Sequence, residues 1–304
     1  MAVKKDTRIH KGSLLTALFM LLAVLVCPAA AEDTAGLKPY SSDSGYTYIY
    51  FGRYPQTIDG GNPDDGTTTW SWRKLYRDWE EQTRKELGLK KKDKLEPFNP
   101  GPLEPDPILW RVLSVDEEKI YLMSEYVLFA APVHPSMSEY RETGNDFSRT
   151  QICGKLNGEF ADTAFTDEEK EALVPFGEYG KVSLPSGNDL NNASMGFTKK
   201  KLSSRKAKAT EYAVRVTGAF VYQVSMGNSS PYWLREQADS DKRQARSTKQ
   251  DGNVGRLHCD AEDVGARPVI QLGTGNYQIV SGNGSKEDPF RLSVQGQYVP
   301  VPAE

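Results

Sequence analysis

The sequence predicts an α+β fold: a compact mixed domain of short antiparallel strands and a few helices, ending in a β-hairpin. Three observations carry that reading. Short runs of apolar, aromatic and β-branched residues recur between clusters of Gly, Pro, Asn and Asp, as strands and turns require. Fewer stretches carry apolar residues at three- to four-residue spacing with charges between them, the helical period. The 304 residues are 38% hydrophobic and 26% charged, a balance that excludes wholesale disorder and is ample for one buried core.

The first segment stands apart from that core. Lys4, Lys5, Arg8 and Lys11 precede the apolar run 14–27, and Pro28 and three alanines follow it, the pattern of a secretory signal peptide over residues 1–31. The run is shorter than the roughly 18 to 20 apolar residues of a spanning helix, which argues against an uncleaved anchor. Lipidation of Cys27 is disfavoured by the bulky Val26 before it and Pro28 behind it. Removing the leader takes away four basic residues and one acidic one, leaving 34 Lys+Arg against 40 Asp+Glu and a net charge of −6. That charge excludes a strongly cationic nucleic-acid binder. The expected product is secreted or extracytoplasmic, without stable membrane insertion.

Residues 32–45 are small and polar and read as a flexible lead-in to the strand 46–51 (YTYIYF), which GRYP at 52–55 stops. The segment 59–69 (DGGNPDDGTTT) lacks the spacing of an EF-hand loop and reads as a solvated turn. Residues 70–89 predict a helix with Trp72, Leu75, Tyr76, Trp79 and Leu87 on its docking stripe. A basic patch at 90–94 and five prolines within 96–107 follow, so 59–106 reads as an insertion between two strands.

Residues 108–115 and 119–124 predict a hairpin about Asp116, Glu117 and Glu118. Ile152, Leu156 and Phe160 at four-residue steps predict a short helix with Ser148 as its cap, and Thr166 with Glu169 predicts a capping box. The run 199–208 (KKKLSSRKAK) could attract a polyanion such as a teichoic acid or nucleic acid, but without interleaved aromatics it reads as a solvated loop. Residues 210–216 fit either a helix or a strand. Short strands are expected at 232–235, 252–257 and 265–272, with a charged loop before Asp251. The segments 277–280 and 290–294 flank the polar loop 282–289 as a terminal hairpin within 273–304.

Past the leader two cysteines remain, Cys153 and Cys259, in a compartment where disulfides persist. A bond between them would close a loop of about 100 residues, worth roughly 4 to 5 kcal/mol in the chain-entropy model. Two isolated buried thiols are the alternative. Only His134 and His258 remain, without metal-ligand spacing, so neither metal nor cofactor is expected.

The ordered set FGRYPQ (51–56), PILWRVL (107–113), IYLMSEYVL (120–128), LNGEFADTAFTDEE (156–169), ATEYA (209–213), YWLR (232–235) and GARPVIQL (265–272) resembles one family. It is the bacterial exported domain-of-unknown-function family 6273. The resemblance spans 46–272, most of the chain past the leader, and implies a secreted or surface setting without an assigned activity. The W-L-R and G-x-R-P pattern is also similar, at fold level, to the closing strands of C-type-lectin-like and sulfatase-modifying-type domains. The insertion 59–106 and the basic run before Ala209 depart from the family pattern. The tail GNGSKEDPF resembles short hairpins of bacterial surface proteins.

No nucleophile with a base, no nucleophile elbow, phosphate loop or dinucleotide fingerprint can be assembled. The acids Asp167, Glu168 and Glu169 sit at a helix N-terminus and complement its dipole. The E-P-N or Q-P-D and W-N-D signatures of calcium-dependent lectins are missing too. The leading expectation is a non-catalytic binding or surface-interaction module for an extracellular glycan, wall polymer or protein; a structural spacer of a surface protein is the alternative, and an enzyme of unrecognised type comes after both. Tyr232, Trp233, Arg235 and Arg267 are the candidate ligand residues, since rings stack on sugars and guanidinium forks hold anions. Their competing reading is structural, with Trp233 in the core and the arginines organising loops.

Overall fold

The computed structural model describes residues 37–62, 64, 69–143, 146–198, 202–238 and 243–294. The leader predicted at 1–31 and residues 199–201 of the basic run lie outside the described residues. In chain order the elements are β1 (Tyr48–Tyr54), α1 (Thr69–Glu86), β2 (Asp106–Val115), β3 (Lys119–Ser124), β4 (Phe129–Ala130), α2 (Met137–Glu142), α3 (Gln151–Lys155), α4 (Ala161–Ala164) and α5 (Asp167–Ala172). There follow β5 (Val182–Ser183), α6 (Glu211–Arg215), β6 (Trp233–Gln237), β7 (Gln244–Thr248), β8 (Val254–His258), β9 (Gly265–Ala266), β10 (Val269–Gly273), β11 (Tyr277–Ser281) and β12 (Phe290–Val294).

Seven strands form the main sheet in the order β11-β12-β1-β2-β3-β10-β5, while β4 pairs with β9 and β6-β7-β8 make a separate ribbon. The β1–β12 pair is parallel and the other strand pairings are antiparallel. With its several short helices, this is the α+β class the sequence predicts.

The central strands are apolar at successive positions because both sheet faces are covered. Ile120 and Leu122 of β3 point into one core cluster with Ile49, Trp110 and Phe160. Tyr121 and Met123, one residue out of phase, point into a second with Trp72, Phe197, Val214 and Tyr232. The β1–β2 register shifts between Tyr50 and Arg53, around Gly52. Gly52 has φ +66°, and a Cβ there would lie 2.6 Å from the Ala164 carbonyl oxygen, so only glycine lets the strand pass this close to α4.

The hairpin of β2 and β3 forms as predicted, and Asp116 Oδ1 accepts from the backbone N–H of Glu118 and Lys119 to tighten its turn. The capping box at Thr166 and Glu169 is present. The strands on either side of the expected insertion at 59–106, β1 and β2, pair with each other. The terminal hairpin of β11 and β12 also forms, but it is part of the main sheet through β12 and β1 rather than an appended tail.

Other expectations change. The flexible lead-in is anchored before Tyr46: Leu37 is buried in the core and Ser41 and Gly45 exchange backbone hydrogen bonds. The helix around Ile152 is capped by Thr150, whose hydroxyl accepts from Cys153 N–H, because the preceding turn uses Asp146 on Ser148. Only part of the expected stripe docks: on α1 Trp72 is buried while Leu75 is exposed, and Leu87, also exposed, lies beyond the helix end. Residues 210–216 resolve as α6, capped by Thr210. The charged loop before Asp251 contains β7, whose Ala245 and Ser247 are buried. Cys153 and Cys259 are two buried thiols rather than a disulfide. Burial pushes the Cys153 thiol up to about 11, which keeps it protonated at neutral pH.

Candidate functional site

Charged residues inside otherwise apolar strands are costly unless paired, and here they find one another. Arg111 of β2 and Glu125, just after β3, are both buried. Arg111 Nε donates to Glu125 Oε2 at 2.8 Å, Nη2 lies 2.5 Å from the same oxygen, and Nη1 donates to the Ser204 carbonyl at 3.2 Å. Its guanidinium also lies 4.3 Å from the centre of the Tyr46 ring. Glu125 Oε1 takes the Lys286 ammonium at 3.0 Å.

Behind this pair lies Arg267, with no solvent exposure, its Nε donating to the Ser124 carbonyl at 2.7 Å. Its Nη1 lies 3.5 Å from the Tyr232 hydroxyl, its Nη2 is 3.9 Å from Glu125 Oε2, and its guanidinium faces the Tyr232 ring. Tyr232 in turn donates to the Arg205 carbonyl at 2.6 Å. The residues come from PILWRVL, IYLMSEYVL, YWLR and GARPVIQL, so four separated motifs converge on one buried polar network.

Burial works against each charge, and the partners outweigh it. Arg111, Arg267 and Lys286 hold the Glu125 carboxyl below the usual carboxylate range. Glu125 in return raises Arg111 above its ordinary value, and with Asp64 it raises Lys286. Asp64 is lowered by Lys286 and by the Tyr126 hydroxyl that donates to it.

On the outer side of the network is a pocket of about 250 Å³ lined by Asp64, Arg111, Glu125, Tyr126, Ser203, Lys206, Ala207, Lys208, Gly227, Ser229 and Lys286. Separated segments build its walls. Ala207 and Ser230 pair across one side, and Val127 N–H donates to the Lys208 carbonyl on another. The loop between β11 and β12 supplies Lys286; its Gly284 carbonyl accepts from Tyr48 N–H, which ties it to β1. Lys286 Nζ also reaches Asp64 Oδ2 at 2.7 Å and Lys208 Nζ reaches Asp64 Oδ1 at 3.4 Å. Gly227 has φ +105°, and a Cβ there would lie 2.9 Å from Lys206 Nζ, so glycine makes room for that ammonium.

The basic run therefore departs from the solvated loop expected of it. Arg205 is buried and Lys206 and Lys208 are half-buried pocket residues. The signal that could have found the network is a lone charge within an apolar run, as in WRVL, MSEYV and ARPV.

The four predicted ligand residues do not form one surface. Tyr232 and Arg267 touch each other but are fully buried, and so is Trp233, whose Nε1 donates to the Ala131 carbonyl on the opposite core face. None of these three offers a face to a ligand, so their structural reading replaces the ligand-contact one. Arg235 is partly exposed and sits elsewhere, 4.0 Å from Asp189 Oδ2 and over the Tyr179 ring.

The remaining motifs pin loops. Gln56 Nε2 donates to the carbonyls of Asp106 and Pro107. Asn157 Nδ2 donates to the carbonyls of Cys153, Tyr179 and Val182. Glu211, buried, accepts on Oε2 from the N–H groups of Ile58, Asp59 and Gly61 and pairs with Arg215 through Oε1. A second depression of about 300 Å³ lies by Ala131, Lys155, Thr217 and Glu262. Among the described residues no group of three His, Cys, Asp or Glu side chains is gathered to hold a metal ion, and no helix is long and apolar enough to cross a membrane. Comparison with protein-family models, with curated proteins and with solved structures finds no match to the chain.

Proposed function

We propose that this chain is a non-catalytic binding module of the cell exterior whose ligand, a glycan or wall polymer, seats in the pocket above the Arg111–Glu125–Arg267 network. The leader pattern at 1–31 and the seven-motif resemblance to an exported family support the setting. One observation carries the site: a pocket with room for a sugar-sized group, floored by a buried ion network. Such a floor gives preorganised polar contacts, which is how binding sites limit the entropy lost on association. The network's role is positional, since each oxygen of Glu125 is already committed to a cation.

A thermal-shift screen of the chain against neutral glycans, anionic wall polymers and proteins of the cell surface tests the proposal. A ligand-specific rise in Tm that the pocket variant Ser229→Trp abolishes, while the variant keeps its own cooperative transition, is the expected result. No rise with any of them moves the reading to a structural spacer.

A further inference from the structure

Resting on that reading of the pocket, we infer that the group it takes is a tetrahedral oxyanion, a phosphodiester or phosphate, contacted first by Lys206. Lys206 lines the pocket and, unlike Lys208 and Lys286, its ammonium has no hydrogen-bond or ion-pair partner among the described residues. The lining supplies four cations, Arg111, Lys206, Lys208 and Lys286, against the two carboxylates of Asp64 and Glu125. Arg267, immediately behind Glu125, adds a further buried positive charge, and its Nη2 has no hydrogen-bond partner among the described residues. The local excess is positive in a chain of formal net charge −3, and in a half-enclosed pocket it attracts anions more strongly than the same charges on open surface.

The shape of the anion follows from which donors are uncommitted. A planar carboxylate is held best by the parallel donors of a guanidinium fork. All three nitrogens of Arg111 are engaged by Glu125 and Ser204, and Arg267 has no exposed atom. What faces the pocket instead is the Lys206 ammonium, a point charge with rotatable donors, beside the exposed Ser203. Point charges and hydroxyls suit oxygens spread around a tetrahedron, and glycine at 227 leaves the Lys206 ammonium room against the backbone beside the pocket.

Titration calorimetry of the full chain with a poly(glycerol phosphate), a polyuronate of equal charge density, a neutral glycan and inorganic phosphate tests the assignment. The expected result is binding of the phosphodiester polymer that weakens steeply with salt and falls about tenfold in Lys206→Ala, whose Tm stays that of the parent, with partial recovery in Lys206→Arg. Tighter binding of the polymer than of inorganic phosphate assigns the site to the polymer, and equal affinity assigns it to the free ion; both keep the tetrahedral oxyanion. Equal or tighter binding of the polyuronate, or an affinity unaltered in folded Lys206→Ala, overturns the inference. A neutral glycan that binds through the pocket would overturn it too while leaving the binding-module reading in place; failure of every polymer and of the wider ligand screen would strike that reading itself.

Discussion

Glu125 holds the site together because both of its oxygens face cations across short distances. Replacing it by Gln leaves Arg111 and Arg267 buried without a counter-charge, and breaking a buried pair in this way costs about 3–5 kcal/mol. Urea unfolding of Glu125→Gln should show that loss through a lower midpoint with an unchanged slope; a shift of under about 1 kcal/mol would mean that water reaches the network and carries the charge. The thiols give a second prediction. Alkylation without reductant should leave Cys153 and Cys259 unmodified in the native chain and label both after unfolding, because each is buried. A disulfide would block labelling in both states. Tyr232, Trp233 and Arg267 carried the right types for sugar stacking and anion pairing, but residue type alone does not say which side of a strand faces solvent. Tyr232 and Trp233 lie in different core clusters, so in this segment neither strand face is open.

The insertion between β1 and β2 is tied to the body by α6 rather than by its own helix alone. Glu211 of α6 takes three backbone donors of the loop at 58–61 on a single oxygen, and Asp106 Oδ2 takes the N–H groups of Gln56 and Thr57. A Glu211→Ala change should cost about 1–3 kcal/mol through the orphaned donors and raise amide exchange at Ile58, Asp59 and Gly61 first. Exchange unaltered at those three amides would mean that the loop is held by other contacts. The β2–β3 hairpin and the capping box at Thr166 were legible because their rules are local: a polar turn between apolar runs, and a Thr with Glu three residues on. The parallel pairing of β12 with β1 was not, since Ile49 and Phe290 are partners across most of the chain and nothing in either strand names the other. The strand β7 was hidden for a different reason: its composition is polar, and only Ala245, Ser247 and Thr248 are buried.

Placing the terminal hairpin in the main sheet makes the pocket a product of the whole fold. Lys286 arrives from the β11–β12 loop, Arg111 and Glu125 from the central hairpin, Asp64 from the insertion and Lys206 from the segment before α6. The expected acid response follows from the carboxylates. Asp64 and Glu125 are held below the usual carboxylate range, so each binds protons more weakly folded than unfolded. Their stabilising contribution is present at neutral pH and lost as pH falls through the folded-state values, so the urea midpoint should drop on going from about pH 5 to about pH 3. Glu125→Gln should show a shallower drop over that window; an equal drop would place the acid sensitivity in other carboxylates. The class of the fold was readable from composition and pattern, whereas the pocket was not, because it exists only where these four segments and a fifth carrying Gly227 and Ser229 meet.

The most direct test of the account is a map of backbone amide shifts during titration of the chain with poly(glycerol phosphate). Perturbations confined to Ser203, Lys206, Gly227, Ser229 and Lys286 with the flanking strand ends are expected. Shifts clustered on α1 or around Arg235, with these five positions unmoved, would contradict it.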